Sequence, residues 1–276
     1  MKTAAADKPR EWRDLTTRDF ASLDFDRTVV ILPVAAIEQH GPHLPLSTDA
    51  VICEGLLAAL CSTTFTTARV LLLPVQSVGH SLEHSNFAGT LSLNAETLLA
   101  SLLEIGRCVA RAGVRKLMIL NTHGGNVAVM QIAALRLRAE SQLLVARANS
   151  FALGEPTGLF DNDELKLGIH GGEVETSLML HLRPELVRLE HARDFQGLAH
   201  AAAGASRTVG PARPVGLGWM SEDLHCEGVS GNARGGDAAR GARLLEHLTT
   251  QLAQALDELA VMSLPAIRPE ARDPQS

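Results

Sequence analysis

Apolar positions along this chain alternate between short unbroken runs and longer stretches with a period of three to four residues. The run TVVILPVAAI (28–37) is nearly continuous and rich in β-branched residues, the pattern of a strand covered on both faces. Asp49 then opens AVICEGLLAAL, which predicts a helix. VLLLPV (70–75) predicts a second buried strand. In NAETLLASLLEIGRCVARAG (94–113), Leu98, Leu102, Ile105 and Val109 fall on one helical face and Gly113 stops the last turn. VRKLMIL (114–120) predicts a strand, 127–140 a helix, LLVARANS (143–150) a strand, and 173–182 a helix ending before Pro184.

This order reads as a repeat of strand and helix. It predicts one α/β domain over residues 1–262, with a mostly parallel central sheet flanked by helices. Residues 191–236, rich in Ala, Gly and Pro and poor in periodicity, predict a long loop serving either function or subunit contact. A last helix is expected over 237–260, and the Pro-rich tail 263–276 is expected to fray.

Composition narrows the classes. A chain of 276 residues, 46% hydrophobic and 20% charged, can bury one large core. The net charge is −6, the 25 basic residues are scattered, and the sequence pI is near 6.0, which argues against nucleic acid as a partner. Aromatic residues make up only 3% and tyrosine is absent, which also argues against base stacking. MKTAAADKPREWRDL lacks the apolar core of a signal peptide, and no stretch reaches the roughly 18 apolar residues of a membrane span. No membrane partner is expected, and a cytoplasmic location is. Cys53, Cys61, Cys108 and Cys226 show no CxxC spacing and are expected to be free packing thiols.

The chemistry concentrates in three clusters. In EQHGPHLPLSTDA (38–50), Glu38 and His40 are two apart and project to one side of an extended chain; Gly41, Pro42 and Pro45 stiffen the path that returns Asp49 to the start of a helix. NTHGGN (121–126) carries His123 beyond a strand, and GIHGGEVETS (168–177) carries His170, Glu173 and Glu175. Each alone has a plain alternative: Asp49 as a helix cap, His123 as a surface residue in a turn, Glu173 and Glu175 as acids favoured in a first helical turn. Together they follow predicted strands, where open α/β sheets gather ligands. Glu38, Asp49 and Glu173 with His40 and His123 give three carboxylates and two neutral imidazoles. Two divalent ions and a bridging hydroxide would balance that charge. His43, His181 and His191 are read as ordinary histidines.

EQHGPHLPLSTD, EHSNFAGT, NTHGGN, HGGEVETS and GVSGN, in that order over about residues 30–240, resemble the motifs of the creatininase family, the creatinine amidohydrolase-like proteins. The resemblance implies a metal-dependent α/β hydrolase of amide-type C–N bonds, a homohexamer, with two divalent ions per chain, zinc first and manganese or iron as alternatives. Carried over by motif, Glu38 and His123 would bind one ion, His40 and Glu173 the other, and Asp49 would bridge. Creatinine-hydrolysing members carry Glu where this chain has Gly125, and tryptophans that 150–169 lacks, which points away from creatinine as substrate. Thr122, Gly171 and Ala88 replace the family's Gly, Ala and Pro.

The expected reaction is attack by an ion-bridging hydroxide on a non-peptide amide, cyclic amide or formamide of a small metabolite. His170 would protonate the leaving nitrogen, Glu175 would orient it, and His84 would line the pocket. Alternatives are a metallopeptidase trimming a small peptide, a hydrolase of a cyclic ketone, and a non-catalytic metal-containing binder.

Overall fold

The computed structural model describes residues 8–211 and 213–265. Most of the expected Pro-rich tail, residues 266–276, therefore lies outside the described residues. In chain order the larger elements are β1 (Arg10–Glu11), α1 (Thr17–Phe20), β2 (Thr28–Val34), α2 (Thr48–Cys61), β3 (Arg69–Leu72), α3 (Ala95–Arg111), β4 (Lys116–Asn121), α4 (Val127–Ser141) and β5 (Leu144–Asn149). They are followed by α5 (Asn162–Leu167), α6 (Glu173–Leu182), β6 (Asp194–Phe195), α7 (Leu198–Ala205), β7 (Val209–Gly210), β8 (Val215–Gly216), α8 (Ser221–Leu224), β9 (Gly231–Asn232) and α9 (Ala238–Val261).

Five parallel strands form the central sheet in the order β1-β3-β2-β4-β5. Every residue of β2 is buried because the two faces of the strand fill two different cores. Val29 and Ile31 pack with Leu72, Met118 and Leu120 against α2 and α9 through Leu60, Leu252 and Leu256. Val30 and Leu32 pack with Leu117 and Ile119 against α3 and α4 through Leu98, Leu102, Met130 and Leu137. That double burial explains the unbroken apolar runs, which a strand with one wet face would not show.

From β2 the chain crosses to β3 through α2 on one face, and from β4 to β5 through α4 on the other. The carboxyl ends of β2 and β4 thus sit side by side where the winding reverses, the crevice in which such sheets place ligands.

Residues 191–236 depart from the expected loop. They contain α7, α8 and two small two-stranded pairings, β6 with β9 and β7 with β8. LAHAAAGA forms α7 on alanine's high helix propensity, and Leu198, its one large apolar residue, cannot by itself reveal a period. The cysteines also divide: Cys53 is buried and Cys61 half-buried, but Cys108 and Cys226 are exposed, so the packing role holds only for the first of them in full.

Candidate active site

Glu38 and His40 lie in the loop that leaves β2. The Glu38 amide donates to the Leu46 carbonyl at 2.9 Å, which closes the loop on itself. Gly41 turns it with φ +70°, and a Cβ there would lie 2.8 Å from Val229, so glycine is required by both conformation and space. The cap of α2 is Ser47, not Asp49. Asp49 sits in the first turn with its side chain buried, and the Thr122 hydroxyl from the β4 loop donates to its backbone carbonyl at 2.9 Å.

His123 is held by the two asparagines of NTHGGN. Asn121 accepts from the His123 amide at 3.1 Å and from the Asn126 side chain at 3.0 Å; Asn126 donates on to the Ala35 carbonyl at 3.1 Å. The loop is thereby fastened to the end of β2. Gly125 is enclosed: a Cβ would lie 2.4 Å from both the His80 carbonyl and Glu83 Oε1, so no side chain fits there.

His170 reaches the site through GVSGN, pairing with Ser230 in a short antiparallel bridge, and the Gln39 amide joins the Gly228 carbonyl at 2.7 Å. Glu173, expected beside the other carboxylates, points elsewhere. Its carboxylate pairs with Arg240 of α9, whose guanidinium also lies 5.3 Å from the centre of the Phe160 ring. Glu175 occupies the expected place instead, with Oε1 3.8 Å from His40 Nε2 and Oε2 accepting from the Gly171 amide at 2.5 Å. Residues two apart on a helix diverge by about 200°, so only one of the two acids can face the crevice, and the phase of α6 selects Glu175.

The side chains converge. His123 Nδ1 lies 3.1 Å from Glu38 Oε1 and 3.5 Å from Asp49 Oδ2; His40 Nε2 lies 3.6 Å from Asp49 Oδ1. His84 Nε2 approaches Glu38 Oε1 at 3.3 Å and His170 Nδ1 does so at 3.9 Å. Backbone carbonyls orient three of the rings: Glu38 O lies 3.1 Å from His40 Nδ1, His80 O 2.9 Å from His123 Nε2, and Gln39 O 2.8 Å from His170 Nε2. Donation to those carbonyls turns the opposite nitrogens of the three rings toward the crevice, the orientation that metal-ligating imidazoles require. Glu38 Oε2, His40 Nε2 and Asp49 Oδ2 are buried without a hydrogen-bond partner. Among the described residues, three-donor sets able to hold an ion are Glu38, Asp49 and His123; His40, Asp49 and Glu175; and Glu38, His40 and His170. Buried carboxylates, inward-facing imidazole nitrogens and orphaned polar atoms fit divalent cations.

Charge explains the titration of the metal-free cluster. Burial would raise Glu38, but the charge and hydrogen bond of His123 hold it well below the usual carboxylate range. Burial likewise opposes the net shift of Glu175, which His40 draws down to about 2. Asp49 is pushed up to about 6 by burial and by Glu38. Burial would lower His123 and His40, yet Glu38 raises the first to about 9 and Asp49 raises the second well above its ordinary value. Burial, followed by neighbouring imidazoles, depresses His84 to about 2 and His170 to about 4.

These groups open on a cavity of about 340 Å³, also lined by Glu83, Asn149, Phe151, Ile169 and Trp219, which sequence reasoning did not single out. Glu83 adjoins His84 in a motif already noted, so a signal for it existed. Trp219 lies in a segment without periodicity, and nothing local marked it. His84 is among the residues that line this cavity. His43 lies behind it, buried and stacked at 5.5 Å on Phe195.

The family model for creatininase, creatinine amidohydrolase, matches residues 13–256. The chain belongs to the creatininase family. Its similarity to a mycofactocin precursor peptide peptidase of Mycobacterium ulcerans (strain Agy99) is 38% identity over 163 residues, covering 57% of this chain and 60% of that protein. The chain thus spans less than two thirds of that relative. To the creatinine amidohydrolase of Pseudomonas putida it is 32% identical over 182 residues, covering 60% of this chain and 68% of the other. A solved manganese creatininase shares the fold at TM-score 0.68 and 24% identity, with 91% of this chain and 98% of that one aligned.

Proposed function

We propose that this protein is a metal-dependent hydrolase of an amide, cyclic amide or formamide C–N bond, working with two divalent ions. Zinc is the first choice, with manganese or iron as alternatives. Glu38, Asp49 and His123 would hold one ion, and His40, Asp49 and Glu175 the other. One observation carries the reading: two three-donor sets share Asp49, and buried polar atoms of Glu38, His40 and Asp49 are left without partners. Family membership and the manganese form of a solved creatininase support the same class.

When bound, such an ion pair supplies Lewis-acid polarisation and a water whose pKa falls to about 7. The chain supplies the rest. His170, fixed through Nε2 by the Gln39 carbonyl, keeps Nδ1 free beside the cluster. Burial holds this ring neutral at pH 7 in the metal-free protein, so it begins as a proton acceptor and can return the proton to the leaving nitrogen. His84, its ring centre 4.3 Å from that of His170, restricts the approach, and Phe151, Ile169 and Trp219 limit water around the reacting group. The enclosed Gly125 leaves no place for the carboxylate that creatinine-hydrolysing members carry there, so creatinine is not the proposed substrate.

Peptide trimming is the second reading, favoured by the similarity to the mycobacterial peptidase. A peptide bond is an amide, and the same residues would serve it. Metal analysis combined with an amide, formamide and peptide panel, with and without chelator, tests both. The expected result is two ions per chain and chelator-sensitive hydrolysis. Two ions with no turnover of any compound would identify a metal-containing binder instead.

A further inference from the structure

Beside the catalytic cavity lies a second one of about 460 Å³. The two share Phe151, Ile169 and Glu175 as walls, so they meet at the carboxylate that faces His40. The second chamber differs in character. Phe160, Leu165, Val174, Leu244 and Leu248 complete it, and among its described lining residues only Glu155 and Glu175 carry charge. Glu155 Oε2 is buried without a hydrogen-bond partner and offers an acceptor in an otherwise apolar wall.

A small polar metabolite would need only the first cavity. An apolar chamber bordering it along shared walls has a use when the substrate continues past the scissile bond. We infer that the substrate carries a branched aliphatic or aromatic side chain next to the C–N bond, and that this chamber, through Phe151, Phe160, Leu165, Ile169 and Leu244, selects it. The inference rests on the hydrolase reading and adds the substrate's second half. Burying a side chain of leucine or phenylalanine size there changes affinity by about tenfold to a hundredfold over glycine.

The probes are two ladders offered to the zinc-loaded protein: N-formyl glycine, alanine, leucine and phenylalanine, and the corresponding amino-acid amides. The first places the side chain on the leaving side, the second on the acyl side. Calorimetric binding and hydrolysis are read for each compound. At least one ladder is expected to climb tenfold or more in affinity from glycine to leucine or phenylalanine. Leu165→Trp, at a half-open position that tolerates change, is expected to compress that spread to below about threefold by filling the chamber. Phe151→Ala, at another exposed position, is expected to compress it by removing a wall. Flat ladders, or an undiminished spread in both variants, would overturn the inference. Hydrolysis along flat ladders sinks the chamber's role and leaves the hydrolase reading standing; a steep binding ladder without hydrolysis does the reverse.

Discussion

His40 Nε2 and Asp49 Oδ1 face each other at 3.6 Å, beyond hydrogen-bond distance, although both side chains are almost fully buried. His40 is turned this way by its other nitrogen, which meets the Glu38 carbonyl. The gap suits an ion better than a proton. Asp49→Asn is therefore expected to lower metal content from the proposed two ions per chain toward none and to cut turnover by about a thousandfold or more, since both proposed donor sets lose a member. Elemental analysis after gel filtration checks it; two tightly held ions in the variant would refute the shared-ligand assignment.

His170→Ala separates holding from chemistry. His170 lies outside the two sets that share Asp49, so ion content should persist while kcat falls by about a hundredfold or more, the usual scale of general acid–base catalysis. Full rate on every active substrate would remove it from the proton path.

Metal affinity should rise with pH. His123, raised to about 9, and His40, raised well above its ordinary value, hold protons that a cation must displace. Binding therefore releases protons near neutrality, and affinity climbs until His123 has titrated, at about pH 9. The linked stability has the opposite slope in the metal-free protein. A raised imidazole contributes stability fully below about 6.5, its unfolded value, and that contribution disappears as pH rises through 9. Calorimetry in buffers of different ionisation enthalpy measures the protons released.

Gly125→Ala should destabilise by about 2 kcal/mol or more, because the added methyl meets a backbone carbonyl that cannot swing aside. It would also push on His123, whose Nε2 lies 2.5 Å from where the alanine Cβ would sit, so ion affinity should fall together with Tm. Unchanged thermal unfolding and affinity would contradict the enclosure.

Far from the site, Asp257 of α9 accepts from the amides of Thr66, Thr67 and Ala68 at 3.1, 2.9 and 2.7 Å and from the Thr66 hydroxyl at 2.7 Å. Asp257→Ala should cost about 1–3 kcal/mol by freeing these donors. Burial opposes the net shift, but those hydrogen bonds hold the carboxyl below its ordinary value. Its stabilisation is therefore present above about pH 4 and is lost as pH falls through the folded value. Urea unfolding at pH 7 and pH 3 should show a smaller difference between wild type and variant at the lower pH.

Much of this was legible in advance. The strands of the sheet could be read because both faces are dry, and α3 because its leucines keep one face. The convergence of Glu38, His40, Asp49 and His123 was legible because short stiff loops tie each to a strand end or helix start. Glu173 and Glu175 lie in one motif, and only the rotation of α6 shows that Glu175 faces His40 while Glu173 faces Arg240. Trp219 enters the cavity only through contacts distant in sequence, whereas Glu83 sits beside His84 in EHSNFAGT. Ala-rich α7 offered propensity without pattern.

The donors around Asp49 come from the loop after β2, the loop after β4 and the first turn of α6, stretches separated by more than a hundred residues between Glu38 and Glu175. All four cysteines are free. In the proposed holoprotein, the ions would do the cross-linking that disulfides do elsewhere, reaching full strength only once all three stretches have docked. At a free ion concentration one hundred times Kd, such a fastening adds about 2.7 kcal/mol for each site. A chelator would then loosen the whole domain as well as silence its chemistry.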